Sequence, residues 1–329
     1  MRVGVVGVGV MGANHARVLA GLPNVQLVAV ADPDSKHRDF VTGILGCDGV
    51  ADLDSLLQLG VDAVTIAAPT HLHHDIALAC AARGVHMLVE KPIASTVEEG
   101  RAIIAAARRA GVTLMVGHVE RFNPAVTAIK EAIRGEDILS IGITRVGPFP
   151  PRMSNVGVVI DLAVHDIDLI RWFTDSDIVE VQPQVSSAVA EREDIALLQF
   201  RTASGVLAHI NTNWLTPFKA RNVTVATRGK YVQGDLLTRQ VTECFGFQPD
   251  GAYSMRHVSV GHDEPLRAEL IAFIEAAREG KPAAVTGEEG VASLEIATQC
   301  LENRSTLAPA ARHAAPPAAH HKEPRRVAS

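Results

Sequence analysis

The chain has only four cysteines in 329 residues, and Cys47, Cys80, Cys244 and Cys300 are scattered, with no pair at metal or redox spacing. This argues against a disulfide scaffold or a cysteine-built zinc site. It implies reduced thiols, with the cytoplasm as the expected compartment. Positive charge is also short. Against 37 Asp and Glu there are 31 Lys and Arg, a formal net charge of -6, and no stretch concentrates them. A nucleic-acid partner, which needs a basic face, is therefore not expected. No apolar run approaches the length of a membrane span, and "RVGVVGVG" follows Met1 directly with no charged leader and cleavage site. Neither a membrane partner nor export is expected. There is no internal repeat. What the sequence does have is a 47% hydrophobic composition in a chain long enough for two domains with ample cores.

From residue 2 to about 118, short Val/Ile/Ala-rich runs alternate with helical stretches: "VGVVG", "VQLVAVAD", "DAVTIAAP", "VHMLVE" and "TLMVGH". That alternation predicts an α/β fold, a doubly wound parallel sheet of Rossmann type. After "GHVERFNPA" the texture changes. A helix near 122 to 134 and a strand near 138 to 147 are followed by the helical stretch 157 to 170 and then mostly strands. "DIALLQFRTASGVLAHINTNW" reads as a hairpin turning at Ala203 to Gly205, and "ARNVTVATRGKYVQGDL" as another turning at Arg228 and Gly229. These predict an α+β domain with a large, mostly antiparallel open sheet, closed by helices near 264 to 278 and 290 to 303. The expected units are 1–120 for cofactor binding and 121–305 for substrate binding and oligomerisation. The Ala/Pro/His-rich stretch 306–329 reads as a disordered tail.

"VGVVGVGVMGANHARVLAGL" places Gly7, Gly9 and Gly12 in the G-x-G-x-x-G arrangement between a strand and a helix, with Val10 and Met11 between the last two glycines. Such a turn lets a pyrophosphate approach the helix N-terminus. The next strand ends at Asp32, twenty residues after Gly12. A carboxylate there can accept bonds from ribose hydroxyls and repels a 2'-phosphate, so NAD is the expected cofactor.

"GVVIDLAVHDIDLI", residues 157 to 170, combines apolar residues with Asp161, His165, Asp166 and Asp168. At about 100° per residue, Asp161, His165 and Asp168 fall on one stripe of an otherwise apolar helix. Buried ionisable groups must be paired, hydrated or facing a cavity. The spacing alone fits a structural pair, half of a metal site or an acid/base pair. Asp166 points off the stripe and is expected to satisfy local backbone or a neighbouring cation, and Asp168 lies a turn deeper, where a structural bond is expected.

At "APTHLHHDIALACAARGVHMLVEKPIA" the residues Pro69, Thr70, His73, Gly84, His86, Glu90, Lys91 and Pro92 follow a Pro-Asn-x-x-His, helix, Gly-His strand, Glu-Lys-Pro pattern. On these motifs the chain resembles the Gfo/Idh/MocA family of sugar and cyclitol dehydrogenases over about residues 1 to 303. Ala68 and Thr70 stand where that family usually has Thr and Asn. The resemblance implies that Ala68, Pro69, Thr70, His73, Glu90 and Lys91 belong to the NAD site, and that Lys91, Asp161 and His165 converge beside the nicotinamide. The polar stripe would then face the cleft, with no metal required. It implies oxidation of a secondary hydroxyl with His165 as base, Lys91 stabilising the developing charge on oxygen and Asp161 orienting substrate or imidazole. The family's glycine run before this helix is reduced here to Gly157. The resemblance also implies a homodimer or homotetramer formed through the open face of the second sheet.

"GHVERFNPAV", "RVGPFPPRMSNVGVVIDLAVHDIDLIRW" and "NTNWLTPFKARNVTV" resemble the branch of that family acting at carbon 3 of UDP-N-acetylglucosamine. This implies substrate contacts from Glu120, Arg121, Asn123, Arg152, Asn213, Trp214, Lys219 and Arg221, besides Lys91, Asp161 and His165. For each of the branch residues the competing reading is a ring packed in the sheet or a solvated cation. An inositol, free-sugar or sugar-phosphate dehydrogenase, and a cofactor-binding regulator without turnover, remain as alternatives.

Overall fold

A computed structural model describes residues 1–149 and 156–303. Arg152 and the tail 306–329 lie outside the described residues. The first sheet contains β1 (Arg2–Val6), β2 (Gln26–Ala31), β3 (Asp48–Val50), β4 (Ala63–Ile66), β5 (His86–Glu90) and β6 (Leu114–Gly117). The strand order is β3-β2-β1-β4-β5-β6, and every pairing is parallel. Its strands are short apolar runs because helices cover both faces. Those helices are α1 (Val10–Ala20), α2 (Ser35–Leu45), α3 (Leu53–Gln58), α4 (His73–Ala82) and α5 (Val97–Ala110). Local chemistry sets their ends. In α5, Thr96 and Glu99 form a capping box, Ile103, Ala106 and Ala107 face inward, and Gly111 ends the helix in the left-handed region.

The chain then crosses to an eight-stranded sheet. Its members are β7 (Ile138–Pro148), β8 (Ile178–Ser186), β9 (Ile195–Thr202), β10 (Leu207–Asn213), β11 (Leu215–Thr227), β12 (Lys230–Asp235), β13 (Gln240–Phe245) and β14 (Ser254–Val258). They run in the order β14-β13-β12-β11-β7-β10-β9-β8. Within this sheet, among the described strands, only the β7–β10 pairing is parallel. Both expected hairpins form, β9–β10 around Ala203 to Gly205 and β11–β12 around Arg228 and Gly229. One face of the sheet packs on α6 (Pro124–Ala132) and α7 (Val164–Thr174), burying Ile141, Ile143, Leu198, Ile210, Val223 and Val225.

The closing helices α8 (Pro265–Glu279) and α9 (Gly287–Glu302) depart from the sequence reading, which assigned them to the second domain. Leu266, Leu270, Phe273 and Ile274 of α8 enter the first core, whereas α9 gives Val291 and Leu294 to the first core and Ile296, Ala297 and Cys300 to the second. Truncating the fully buried Phe273 to Ala would cost about 3–5 kcal/mol. Local periodicity shows that these helices are amphipathic, but not which sheet they cover. No helix among the described residues is long and apolar enough to cross a membrane.

Candidate active site

The turn after β1 is built by close approach. Gly7 has φ +80°, and a Cβ there would lie 2.6 Å from the Ala68 backbone; one on Gly12 would stand 1.8 Å from the Gly7 carbonyl oxygen. Gly9 meets nothing within 4 Å. It caps α1 without a side-chain bond, so the first-turn N–H groups are left to an outside acceptor. Val10 and Met11 are 75% and 39% exposed beside it. An open helix N-terminus with no side-chain cap fits a dinucleotide pyrophosphate. Asp32 sits against the same turn. Its carboxylate accepts the N–H of Val8 at 2.8 Å and of Asp34 at 2.9 Å, so it braces the loop as well as lying where a ribose would be read.

Ala68, Pro69 and Thr70 follow β4 and flank this turn. Two residues expected to touch the cofactor turn inward instead. His73 is 1% exposed, with Nε2 2.9 Å from the Ala68 carbonyl and Nδ1 3.0 Å from the Pro92 carbonyl. It ties the two loops together, and burial lowers its pKa despite those acceptors. Glu90 accepts from the Lys91 N–H at 3.2 Å and lies 2.9 Å from His15 Nε2. Burial works against its charge, but His15, then Lys91, lower its pKa overall. By contrast His71 is exposed, and His74 pairs with Asp75 at the surface.

Lys91 extends from the end of β5 across to the second domain. Its Nζ donates to the Asp161 carbonyl at 2.7 Å and to Asp161 Oδ1 at 3.2 Å, with both side chains partly exposed. The segment carrying Asp161 is not regular α-helix. Val159–Ala163 forms a π-helical turn that runs into α7, a widening often found at functional sites. A Cβ on Gly157 would fall 1.9 Å from Glu193 Oε1, so glycine admits the Glu193 carboxylate. The Glu193 backbone carbonyl accepts from Val158 at 2.9 Å.

His165 lies one turn beyond Asp161. Its Nδ1 is buried with no partner among the described residues, and its ring meets His118 edge-on with centroids 6.0 Å apart. Burial first, then the charges of Lys91, Arg145, His118 and Arg221, hold its pKa well below the usual histidine value. The imidazole is therefore neutral at pH 7 and able to accept a proton.

Beneath this helix the other carboxylates are matched by arginines. Asp166 takes Arg145 at 2.7–3.0 Å, Arg145 also reaches Glu120 Oε1 at 2.8 Å, and Arg221 donates to that same oxygen at 2.9 Å. Arg145 and Arg221 stand opposite each other on β7 and β11, with Glu120 bridging the like charges. Burial opposes the Arg145 charge, but Asp166 and Glu120 more than offset it and raise its pKa. Asp168 holds Arg121 through two bonds of 2.7 Å, and Arg121 also reaches Glu289 at 2.6 Å. The expected structural roles of Asp166 and Asp168 are thus realised.

The structure corrects four expected substrate contacts. Glu120 and Arg121 are buried and committed to these pairs. Asn123 caps α6 and donates to the Leu236 carbonyl at 3.2 Å. Trp214 is 3% exposed and packs edge-on against Phe149 at 5.6 Å. Arg221 keeps a partly exposed flank, and Lys219 is exposed. Arg145, Glu193 and His118 were missed from sequence. Arg145 shares the inward face of β7 with Ile141 and Ile143, and that alternation was a usable signal. Glu193 left none.

A dinucleotide cradle joined to a Lys/Asp/His cleft defines a two-domain oxidoreductase. Residues 1–118 match the family described as "Oxidoreductase family, NAD-binding Rossmann fold", and residues 146–232 match the GFO/IDH/MocA C-terminal domain. The chain is 30% identical over 303 residues to UDP-N-acetylglucosamine 3-dehydrogenase of Acidithiobacillus ferrooxidans, covering 91% of this chain and 96% of that one. It is 31% identical over 318 residues to inositol 2-dehydrogenase 1 of Saccharopolyspora erythraea, covering 92% and 93%. A solved structure of the Acidithiobacillus ferrooxidans enzyme superposes with a TM-score of 0.85 at 30% identity, covering 91% and 96%. The chain belongs to the GFO/IDH/MocA oxidoreductase family. It is an NAD-binding dehydrogenase of the sugar and polyol class, acting on hydroxyl groups.

Proposed function

We propose that this protein oxidises the carbon 3 hydroxyl of UDP-N-acetylglucosamine, or of a close UDP-sugar, to the ketone. The observation that carries the reaction is the convergence of Lys91 Nζ on Asp161 with the neutral imidazole of His165 one turn away. NAD, held by Gly7, Gly9, Val10, Met11, Gly12, Asp32, Ala68, Pro69 and Thr70, supplies the hydride acceptor when bound. His165 takes the hydroxyl proton as the carbonyl forms. Lys91 keeps a hydrogen-bond donor on the oxygen where negative charge develops, and Asp161 holds that ammonium in place. Because Asp166 and Asp168 are already spent on arginines, the cleft offers the substrate one carboxylate rather than several.

For the substrate class, Arg221 supports a diphosphate-bearing sugar. Its charge acts on His165, and part of its side chain remains exposed. A cation beside the reacting group suits a substrate that brings its own diphosphate. Binding energy from the nucleotide, remote from the reacting carbon, then holds one hydroxyl in line. The second reading is an inositol dehydrogenase, favoured by the partly exposed Asp161 carboxylate, which can accept bonds from a neutral polyol. The test is NADH formation from UDP-N-acetylglucosamine, myo-inositol and glucose side by side, with the oxidised carbon located by NMR. Faster turnover of inositol or glucose overturns the UDP-sugar reading and leaves the dehydrogenase intact.

We also propose a homo-oligomer through the open face of the second sheet. Leu197, Leu207 and Tyr231 are 49%, 51% and 40% exposed there. A groove of about 490 Å³ on this face contains none of the catalytic side chains, so a second copy can cover it without blocking the cleft. Light scattering that shows a monomer at working concentration would overturn this.

A further inference from the structure

Behind Lys91 lies a cluster in which, among the described residues, no arginine or lysine side chain bonds either carboxylate. Glu269 of α8 is fully buried, and neither of its carboxylate oxygens has a hydrogen-bond partner among the described residues. His15 of α1 and Glu90 of β5 each place one ligand-capable atom within 4.8 Å of a Glu269 oxygen and of each other. The surrounding charges are engaged elsewhere. From the end of β5, the Lys91 ammonium is turned to Asp161. In the turn that packs on α8, Glu120 is bound by Arg145 and Arg221, and Arg121 by Asp168 and Glu289. His118, beyond β6, is a buried imidazole whose pKa is lowered, first by burial. His15 Nδ1 is itself buried and unpartnered.

Two ionised carboxylates this close, buried and with no arginine or lysine side chain bonded to either among the described residues, repel each other in a low-dielectric site, so one holds a proton. Glu90 has two groups supporting its charge, His15 Nε2 at 2.9 Å and the Lys91 N–H at 3.2 Å; Glu269 has none. We propose that Glu269 remains a neutral carboxylic acid at neutral pH and is a positioning residue, fixing Glu90 and through it the backbone that presents Lys91. Burial, and then the charge of Glu90, push the Glu269 pKa well above the usual carboxyl range, in keeping with this assignment. The functional part rests on Lys91 being the active-site lysine of the proposed reaction.

The test compares the full-length wild type with Glu269→Gln, which keeps size and neutrality, and Glu269→Asp, which withdraws the acid by one methylene. Difference infrared spectra at about pH 8 should show a protonated carboxyl stretch that Glu269→Gln removes. The folded protein holds a proton on Glu269 that the unfolded chain releases above about pH 5, so the contribution of this one group to wild-type stability falls as pH rises. The melting temperature of Glu269→Gln relative to wild type should therefore climb by about 3 °C or more between about pH 5 and pH 9. For positioning, the acetylation rate of Lys91 by acetic anhydride, read by peptide mass spectrometry, should stay within about twofold in Glu269→Gln and change severalfold in Glu269→Asp. No carboxyl band, a pH-independent melting difference, or unchanged Lys91 reactivity in Glu269→Asp would each overturn the proposal. So would a melting temperature raised by Zn²⁺ or Mn²⁺ in wild type but not in Glu269→Gln, which would make the cluster a cation site. These readouts need no substrate, so a failed UDP-sugar assay would count against the proposed reaction alone.

Discussion

The two sides of the cleft handle buried charge in opposite ways. Under α7, Asp166, Asp168 and Glu120 each meet an arginine at hydrogen-bond distance. Behind β5, Glu90 and Glu269 share a site with His15 and no cation bonded to Glu269. The difference follows the architecture. The second sheet is polar enough along β7 and β11 to carry Arg145 and Arg221 inward, whereas the Rossmann core around β5 is built from Val, Leu, Met and Ala. Where arginine reaches, it opposes the cost of burial, lowering the Glu120 pKa overall and offsetting part of the rise that burial imposes on Asp166, while Arg145 and Arg221 add to the field that keeps His165 neutral. Where none reaches, the low-energy answer is a proton.

The sharpest way to break this comparison is to remove an arginine. Arg145→Ala leaves Asp166 buried with an unmatched charge and Glu120 with Arg221 alone, and should cost about 3–5 kcal/mol in urea unfolding. A loss under about 1 kcal/mol would mean that the network is ornamental to stability. Next in size are the groups proposed to carry the reaction. Lys91→Ala and His165→Ala should each lose roughly a hundredfold or more in turnover, about 2.7 kcal/mol, while NAD binding by fluorescence titration is retained. Near-native rates in both would remove the assignment.

A smaller effect sharpens the cofactor half. Asp32→Ala should raise the NADP-to-NAD ratio of catalytic efficiency by about tenfold, because a carboxylate that repels a 2'-phosphate is gone. Its bonds to Val8 and Asp34 will add some loss with both cofactors. Smallest is the pH response. His73, His118 and His165 have pKa values lowered by burial. The unfolded chain thus binds protons that the folded one refuses, and stability present at about pH 7 is lost as pH falls below the usual histidine value of about 6.5. A scan from about pH 7 to pH 5 should lower the melting temperature by a few degrees. For the same reason the acid limb of kcat/KM should lie below about pH 6. An acid limb near pH 7 would show that His165 titrates as an ordinary surface histidine.

Local sequence carried the parts that depend on local geometry. Gly12 is required by the Gly7 carbonyl a few residues away, and Gly7 by the backbone at Ala68, after a strand that the same alternating pattern brings alongside. The two hairpins have the same character. Glu120, Arg121, Asn123 and Trp214 were misplaced because a polar or aromatic side chain near a cleft has the same sequence appearance whether it faces substrate or a partner inside. Family motifs placed those residues near the site, but not the direction in which they point.

The sequence by itself determined the parallel and antiparallel sheets, the dinucleotide turn and the helical stretch that carries Asp161 and His165, because periodicity and glycine spacing are read over short distances. Only the tertiary structure decided that Glu193 fills the space left open by Gly157, that Arg145 and Arg221 share Glu120, and that Glu269 from α8 closes on His15 and Glu90. These groups come from elements up to 254 residues apart in number, 15 to 269. Charge pairing acts through space at a few ångströms, and no pattern along the chain encodes which distant helix will supply the partner.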